Sequence, residues 1–171
     1  LEDVDYLTSD NVWKLRELPK RLFVLGGGPI GVEMAQAFSR LGSKVTLVEM
    51  APQILVREDE EVIKAVTDRF ESEGIEVLTS HEAKSFTKKT LICDYRGKEV
   101  EVEFDQVIVA LGRKANVTGF GLEELGVKIS PQGAIEANEF LQTNIKNIYV
   151  CGDVTGPYQF THTAAHQAWY A

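Results

Sequence analysis

The sequence predicts an α/β fold in which helices cover a parallel β-sheet, and three observations lead to that prediction. An apolar strand, Arg21 to Leu25, runs directly into the glycine-rich segment Gly26 to Gly31. A helical pattern follows, with apolar residues at Met34, Ala37, Phe38 and Leu41. A second apolar strand, Val45 to Val48, ends in Glu49. Strand, helix and strand in this order predict a βαβ unit with two parallel neighbouring strands.

The glycine-rich segment has the spacing GxGxxG, and each glycine has a physical reason. Gly26 turns the chain off the strand, Gly28 lets a pyrophosphate approach the backbone, and Gly31 lets helix and strand pack closely. Pro29 suits the first helical position but has no N–H. We therefore expect the amides of Ile30 and Gly31 to bind the pyrophosphate of a dinucleotide at the positive end of the helix. A glycine-rich turn without a ligand is the alternative, and the complete βαβ context disfavours it.

Glu49 lies about twenty residues beyond the glycines, where this unit places an acid on the ribose hydroxyls. Its negative charge would repel a 2′-phosphate, and no lysine or arginine occurs from Met50 to Ile54 to bind one. Arg57 is expected to be too distant. The sequence therefore predicts NAD as the nucleotide, in preference to NADP.

The elements on either side of this unit follow from local signals. Residues 1–18 are predicted to be a lead-in segment, in which Thr8-Ser9-Asp10 caps a short helix that runs through Trp13 and Leu15. Residues 59–73 are predicted to be a helix that Gly74 ends. Its acidic start, residues 58–61, should be solvated, and its buried face should carry Val62, Val66 and Phe70.

The remaining strands of the first part of the chain are short. Ile75 to Leu78 is predicted to be the third parallel strand. Lys84 to Phe86, Leu91 to Tyr95 and Val100 to Phe104 alternate with turn residues and predict an antiparallel meander. Gln106 to Leu111 is almost wholly apolar, which predicts a buried strand that returns to the parallel sheet.

Composition narrows the classes of function. The chain has 171 residues and a net charge of -8, and it has no basic stripe that could neutralise the phosphates of nucleic acid or of an anionic membrane. No apolar run approaches the roughly 20 residues that span a bilayer, and residues 1–5 do not resemble a signal peptide. We expect a cytoplasmic protein that does not bind nucleic acid.

Six side chains suggest other chemistry, and a structural role is expected for most of them. Cys93 and Cys151 lie in predicted strands, far apart and outside any CxxC pair, so we expect buried, reduced thiols. His162 and His166 are four apart in a predicted helical stretch but lack a third ligand, so no metal site is predicted. Trp13 and Trp169 are expected to be packing residues.

Two later segments carry a family resemblance. The first segment is Val107 to Asn116, and the second runs from Thr143 through Ile148 to Asp153. Together with Gly26 to Glu33, they resemble in order and spacing the motifs of pyridine nucleotide-disulfide oxidoreductases. These flavoproteins include dihydrolipoamide dehydrogenase and mercuric reductase. The resemblance covers nearly the whole chain.

The resemblance implies a domain organisation. Residues 19–113 would form a Rossmann-like NAD-binding domain, and residues 114–171 would form the second half of an FAD-binding domain. Family members also have an N-terminal FAD-binding unit, a redox-active cysteine pair and a dimerisation domain with a His-Glu pair, which this sequence lacks. The chain is therefore expected to be a fragment whose partners are those missing domains. Self-association is possible, because the predicted strand from Ile148 to Cys151 has lost its sheet.

The resemblance also implies roles for individual residues. Gly26, Gly28, Gly31 and Glu49 would bind NAD, Gly112 would lie beside it, and Glu33 would lie near the nicotinamide. Asp153 would bind the ribityl chain of FAD in the intact parent. From the residues alone, Glu33 could equally be an acid stabilised by the helix dipole, and Asp153 a turn residue or helix cap. The role of His162 stays open, and no residue is assigned a catalytic role.

The function implied is hydride transfer from NADH to flavin and on to a disulfide or similar acceptor, with the fragment alone inactive. Two alternatives remain. The parent could be an NADH oxidase or ferredoxin reductase-like flavoprotein, or the chain could be a non-catalytic nucleotide-binding module.

Overall fold

The computed structural model describes residues 4–171. Residues 1–3 lie outside that range, and they belong to the predicted lead-in and to the segment 1–5 that was compared with a signal peptide. The chain divides into two compact units, one ending at Gly112 and one spanning Arg113–Ala171. The strands and helices, in chain order, are β1 (Tyr6–Leu7), β2 (Arg21–Leu25), α1 (Pro29–Leu41), β3 (Lys44–Glu49), α2 (Glu60–Ser72), β4 (Glu76–Thr79), β5 (Glu82–Phe86), β6 (Thr90–Tyr95), β7 (Lys98–Glu103), β8 (Gln106–Val109) and α3 (Thr161–Tyr170).

The first unit is built on a five-stranded parallel sheet with the order β1-β8-β2-β3-β4. Alternate residues of β2 point to opposite faces of this sheet. Leu22 and Val24 pack with residues of α1 and α2, whereas Phe23 and Leu25 pack with residues of the meander. Both faces are therefore buried, which explains why the central strands are apolar throughout. The predicted α/β fold is confirmed.

The antiparallel meander is also confirmed, as the three-stranded sheet β5-β6-β7. Phe104, just after β7, stacks on Phe23 of the parallel sheet with ring centroids 5.9 Å apart. The meander thus covers the face of the parallel sheet opposite the helices.

Helix α2 starts after Asp59 and its first turn is solvated, as predicted. The predicted buried face is partly wrong, because Val62 is 45% exposed and Ile63 is buried with Phe70. A helix turns about 100° per residue, so positions seven apart differ by about 20° and positions eight apart by about 80°. Ile63 therefore shares a face with Phe70, and Val62 does not.

The lead-in differs from the prediction. A single 3₁₀ turn, Val12–Lys14, replaces the short helix, and Asn11 stands at its start. The Asn11 side chain accepts a hydrogen bond from the Thr8 amide at 2.6 Å, which holds a turn at the point where the helix was expected. The preceding residues form β1, which pairs with β8 at the edge of the sheet. A helix this short depends on tertiary packing for its stability, and Trp13, in the middle of the segment, is 74% exposed.

The second unit consists mostly of turns around a small core of Val117, Val127 and Ile135. Its predicted strand from Ile148 to Cys151 is wrong as a strand, because only Tyr149 pairs, in one bridge with Gln142. A strand is defined by its neighbours, and within Arg113–Ala171 this stretch has only that bridge and the backbone hydrogen bonds to Leu141 and Thr143 that flank it. The predicted helical stretch around His162 is confirmed as α3.

Two further expectations are corrected. Cys151 is half-buried and lies outside any strand, whereas Cys93 is fully buried in β6 as expected. Trp169 is 83% exposed and, like Trp13, does not pack into the core of this chain. Among the described residues, no helix is both long and apolar enough to cross a bilayer.

Candidate functional site

The glycine-rich turn joins β2 to α1 at the carboxyl end of the parallel sheet. Gly26 has φ +113°, and a Cβ there would lie 2.5 Å from the Ala110 carbonyl oxygen. Its amide donates to the Val48 carbonyl at 2.9 Å. The backbone at this point needs glycine for both its conformation and its close approach to Ala110, the residue after β8.

Gly28 and Gly31 differ sharply in their surroundings. A Cβ on Gly31 would lie 1.9 Å from the Gly26 carbonyl oxygen, so α1 packs directly on the turn. A Cβ on Gly28 would meet no heavy atom within 4 Å. Gly28 therefore borders open space, which is what close approach of a ligand to the backbone requires.

Helix α1 begins at this open space without a side-chain cap. Gly28 is the N-cap residue and Pro29 is the first helical residue. The first four N–H groups of a helix have no acceptor within it, and proline has no N–H. The amides of Ile30 and Gly31 are thus the donors at the positive end of the helix.

Glu49, at the end of β3, is half-buried and is bound by two backbone amides. Its Oε2 accepts a hydrogen bond from Gly27 at 2.6 Å, and its Oε1 accepts one from Ala51 at 2.7 Å. An ionised carboxylate offers about four acceptor positions. Glu49 is therefore fixed in orientation and retains acceptor capacity for the hydroxyl groups of a ligand.

Three residues of this site were not predicted from the sequence. The middle glycine, Gly27, is confined, because a Cβ there would lie 2.9 Å from Cγ2 of Ile54. The Gly27 carbonyl accepts a hydrogen bond from the Leu55 amide at 2.8 Å. Ile54 and Leu55 are both buried, so the loop after β3 folds back onto the turn. The run of three consecutive glycines and the apolar segment Ile54-Leu55-Val56 of the loop were the signals available.

Glu33 lies in α1 and is exposed. It borders an apolar cleft of about 230 Å³ between α1 and the lead-in, and the other lining residues are Thr8, Ser9, Val12, Trp13, Ile30, Met34 and Ile108. At the end of the same unit, Gly112 is exposed with φ +124° and has open space around it. These positions leave room for a ligand at both residues.

Within the second unit, Asp153 lies in the 3₁₀ turn Gly152–Thr155. Arg113 donates to its carboxylate at 3.2 Å and to the Gln159 carbonyl at 2.8 Å. The Asp153 side chain remains 44% exposed. Asp153 is therefore a turn residue and not a helix cap, and its free acceptor positions face solvent.

The histidine and cysteine side chains are described by their local surroundings. Within residues 4–171, no three histidine, cysteine, aspartate or glutamate side chains come together as metal ligands. His162 stacks on Phe160, with ring centroids 5.3 Å apart. Burial raises the pKa of the Cys93 thiol to about 11, which keeps it protonated at neutral pH.

A family model described as pyridine nucleotide-disulphide oxidoreductase matches residues 1–168. The chain belongs to this family. Pyridine nucleotide-disulphide oxidoreductases are oxidoreductases whose members bind FAD and a pyridine nucleotide.

Three relatives illustrate the match. The chain is 40% identical over 163 residues to dihydrolipoyl dehydrogenase of Bacillus subtilis, covering 94% of this chain and 35% of that protein. It is 37% identical over 171 residues to mercuric reductase of Staphylococcus aureus, covering 98% and 31%. The Cu(II) complex of the HOCl-induced flavoprotein disulfide reductase RclA from Escherichia coli superposes with a TM-score of 0.86 at 29% identity, covering 98% and 38%. The chain thus spans about a third of the length of these relatives.

Proposed function

We propose that this chain binds NAD(H) and is the nucleotide-binding part of an FAD-dependent oxidoreductase that passes hydride from NADH to flavin and on to a disulfide or similar acceptor. One arrangement carries the proposal. The open space at Gly28 lies before the uncapped start of α1, and the turn beside it is tied to the oriented carboxylate of Glu49.

The residues present fit the groups of NAD(H). The amides of Ile30 and Gly31 would donate to the pyrophosphate, and the absence of a Cβ at Gly28 lets the phosphates approach. Glu49 would accept hydrogen bonds from the hydroxyls of the adenosine ribose with its remaining lone pairs. Gly112 would lie beside the nucleotide. A 2′-phosphate would be repelled by Glu49, so NAD is the proposed nucleotide.

The chemistry of hydride transfer is supplied by the bound nucleotide, and this chain supplies its orientation. Glu33 would lie near the nicotinamide, at the open side of the apolar cleft. In the second unit, Asp153 would accept hydrogen bonds from the ribityl hydroxyls of FAD. Arg113 contacts the carboxylate through one hydrogen bond of 3.2 Å, and the exposure of the Asp153 side chain leaves acceptor positions free.

The longer relatives support the proposal that further domains complete the enzyme. These would include the first half of the FAD-binding domain and a dimerisation domain. Several aromatic side chains of the second unit are well exposed, among them Phe140 (69%), Trp169 (83%) and Tyr170 (83%). We propose that such side chains contact the missing domains, or a second copy of the chain when those domains are absent.

The proposal is tested by titrating the purified chain with NADH and by measuring hydride transfer to added FAD. We expect saturable NADH binding, a colourless protein and no turnover with a dithiol or disulfide. Binding without hydride transfer, even after the missing domains are restored, would favour a non-catalytic nucleotide-binding module. Absence of binding by a folded chain would contradict the proposal.

A further inference from the structure

The connection between β4 and β5 is attached to the backbone of Glu49 and of Ala51, two residues further along the chain. The amide of His81 donates to the Glu49 carbonyl at 3.0 Å, and the amide of Ser80 donates to the Ala51 carbonyl at 2.8 Å. Ser80 has φ +58°, a conformation that residues other than glycine rarely adopt. This backbone conformation lets the consecutive amides of Ser80 and His81 both donate to carbonyl groups at the end of β3 and just after it.

The His81 side chain fixes this turn. His81 is 9% exposed, and its Nδ1 lies 2.7 Å from the Thr79 carbonyl oxygen. A carbonyl only accepts, so Nδ1 carries the hydrogen. The imidazole also stacks on Tyr95 of β6, with ring centroids 4.5 Å apart and planes 12° apart. The guanidinium of Arg96 lies 5.2 Å from the centroid of the Tyr95 ring.

A buried polar ring with this many contacts needs an explanation beyond packing. An aliphatic side chain would fill the space under Tyr95 but could not donate to the Thr79 carbonyl. The hydrogen bond and the stack together define where the His81 backbone lies. That backbone in turn holds the residue whose carboxylate is bound by Gly27 and Ala51.

We propose that His81 is a positioning residue that holds Glu49 in the orientation needed to bind the adenosine ribose. This proposal rests on the proposed nucleotide-binding function. His81 acts through Glu49, so the free protein already has the carboxylate in place, and less conformational freedom is lost when the nucleotide binds.

The first test is a double-mutant cycle on NADH affinity, measured by calorimetry with the full chain. We expect His81→Ala to weaken NADH binding about fivefold, and to have almost no effect when Glu49→Ala is already present. His81→Asn retains a donor for the Thr79 carbonyl and should recover part of the affinity. Tyr95→Phe keeps the stacked ring and serves as the matched control with unchanged affinity. Equal losses with and without Glu49, or no loss from His81→Ala in a folded protein, would overturn the proposal.

The second test does not depend on the nucleotide. Amide hydrogen exchange at Gly27 and Ala51 reports the hydrogen bonds to the Glu49 carboxylate. We expect His81→Ala to accelerate exchange at these two amides severalfold, and Tyr95→Phe to leave it unchanged. If His81→Ala does not fold, Tyr95→Ala removes the stack from the other side and should have the same effect. Unchanged exchange would refute the role of His81, whereas accelerated exchange without NADH binding by the wild type would refute only the nucleotide-binding function.

Discussion

The carboxylate of Glu49 and the amide of Gly27 are joined by a 2.6 Å hydrogen bond that ties the end of β3 to the glycine-rich turn. The two residues are 22 positions apart in the chain. Glu49, which is expected to select the nucleotide, therefore also orders the glycine-rich turn, which is expected to bind the pyrophosphate of that nucleotide. Changes at Glu49 should alter both properties.

Glu49→Ala should weaken NAD binding about tenfold or more, because hydrogen bonds to a charged group contribute about 1.5 to 3 kcal/mol. NADP should lose less affinity, or gain some, because the repulsion of its 2′-phosphate is removed. Calorimetric titration of both nucleotides against wild type and variant measures this difference. Glu49→Gln removes the charge and keeps an acceptor for only one of the two backbone amides, so its NAD affinity should fall between those of the wild type and Glu49→Ala. Tighter binding of NADP than NAD by the wild type would contradict the assignment.

Gly28→Ala and Gly31→Ala should separate binding from stability. The methyl group that Gly31→Ala adds would collide with the Gly26 carbonyl, so we expect that variant to lose about 1 to 3 kcal/mol of unfolding free energy. Gly28 borders open space and has φ -75°, which alanine adopts freely, so its variant should keep wild-type stability. It should nevertheless bind NADH about tenfold more weakly, since the new methyl would obstruct the pyrophosphate. Chemical denaturation and titration of both variants check the two results, and the reverse pattern would show that the roles are wrongly assigned.

Most of the fold could be predicted because its signals are local. The glycine spacing and the apolar strands predicted the βαβ unit, and the alternating short strands predicted the meander. The confinement of Gly27 depends on Ile54, and the position of Glu49 depends on His81 and Ser80. These contacts join residues far apart in the chain, and no local pattern encodes them.

The errors have the same origin. Tyr6–Leu7 is too short to be recognised as a strand, and it exists because β8 offers a free edge. The stretch from Ile148 to Cys151 has the pattern of a strand but pairs at one residue within the second unit. Strand formation in both cases is decided by the available partner and not by the segment itself.

The ion pair between Arg21 and Asp105 should make stability depend on pH. Hydrogen bonds from the Arg21 side chain, with Nη2 of Arg21 2.8 Å from Oδ1 of Asp105, hold the pKa of Asp105 below its ordinary value of 3.8. A lowered pKa in the folded state means that the contribution is complete above pH 3.8 and is lost as pH falls through the folded-state pKa. Below pH 3.8, the melting temperature of Asp105→Asn should fall less steeply with decreasing pH than the melting temperature of the wild type. Parallel curves would mean that this pair does not contribute.

The two cysteines should differ in reactivity. Cys93 is fully buried with a raised pKa near 11, whereas Cys151 is half-buried. At neutral pH, a disulfide reagent should therefore react rapidly with the Cys151 thiol of the native protein, and Cys151→Ser should abolish this fast reaction. The second thiol should react only on unfolding. Two fast thiols in the native state would contradict the burial of Cys93 between the sheet and the meander.

The binding of NADH at the start of α1 is the central claim, and it is tested most directly by recording amide resonances of the isotopically labelled chain during an NADH titration. We expect saturable shifts that are largest at Gly27, Ile30 and Gly31, with smaller shifts at Ala51 next to the Glu49 carboxylate. The amides of the meander, such as those of Ile92 and Glu101, should stay unchanged as internal controls. Saturable shifts that leave the Ile30 and Gly31 amides unmoved would contradict the account.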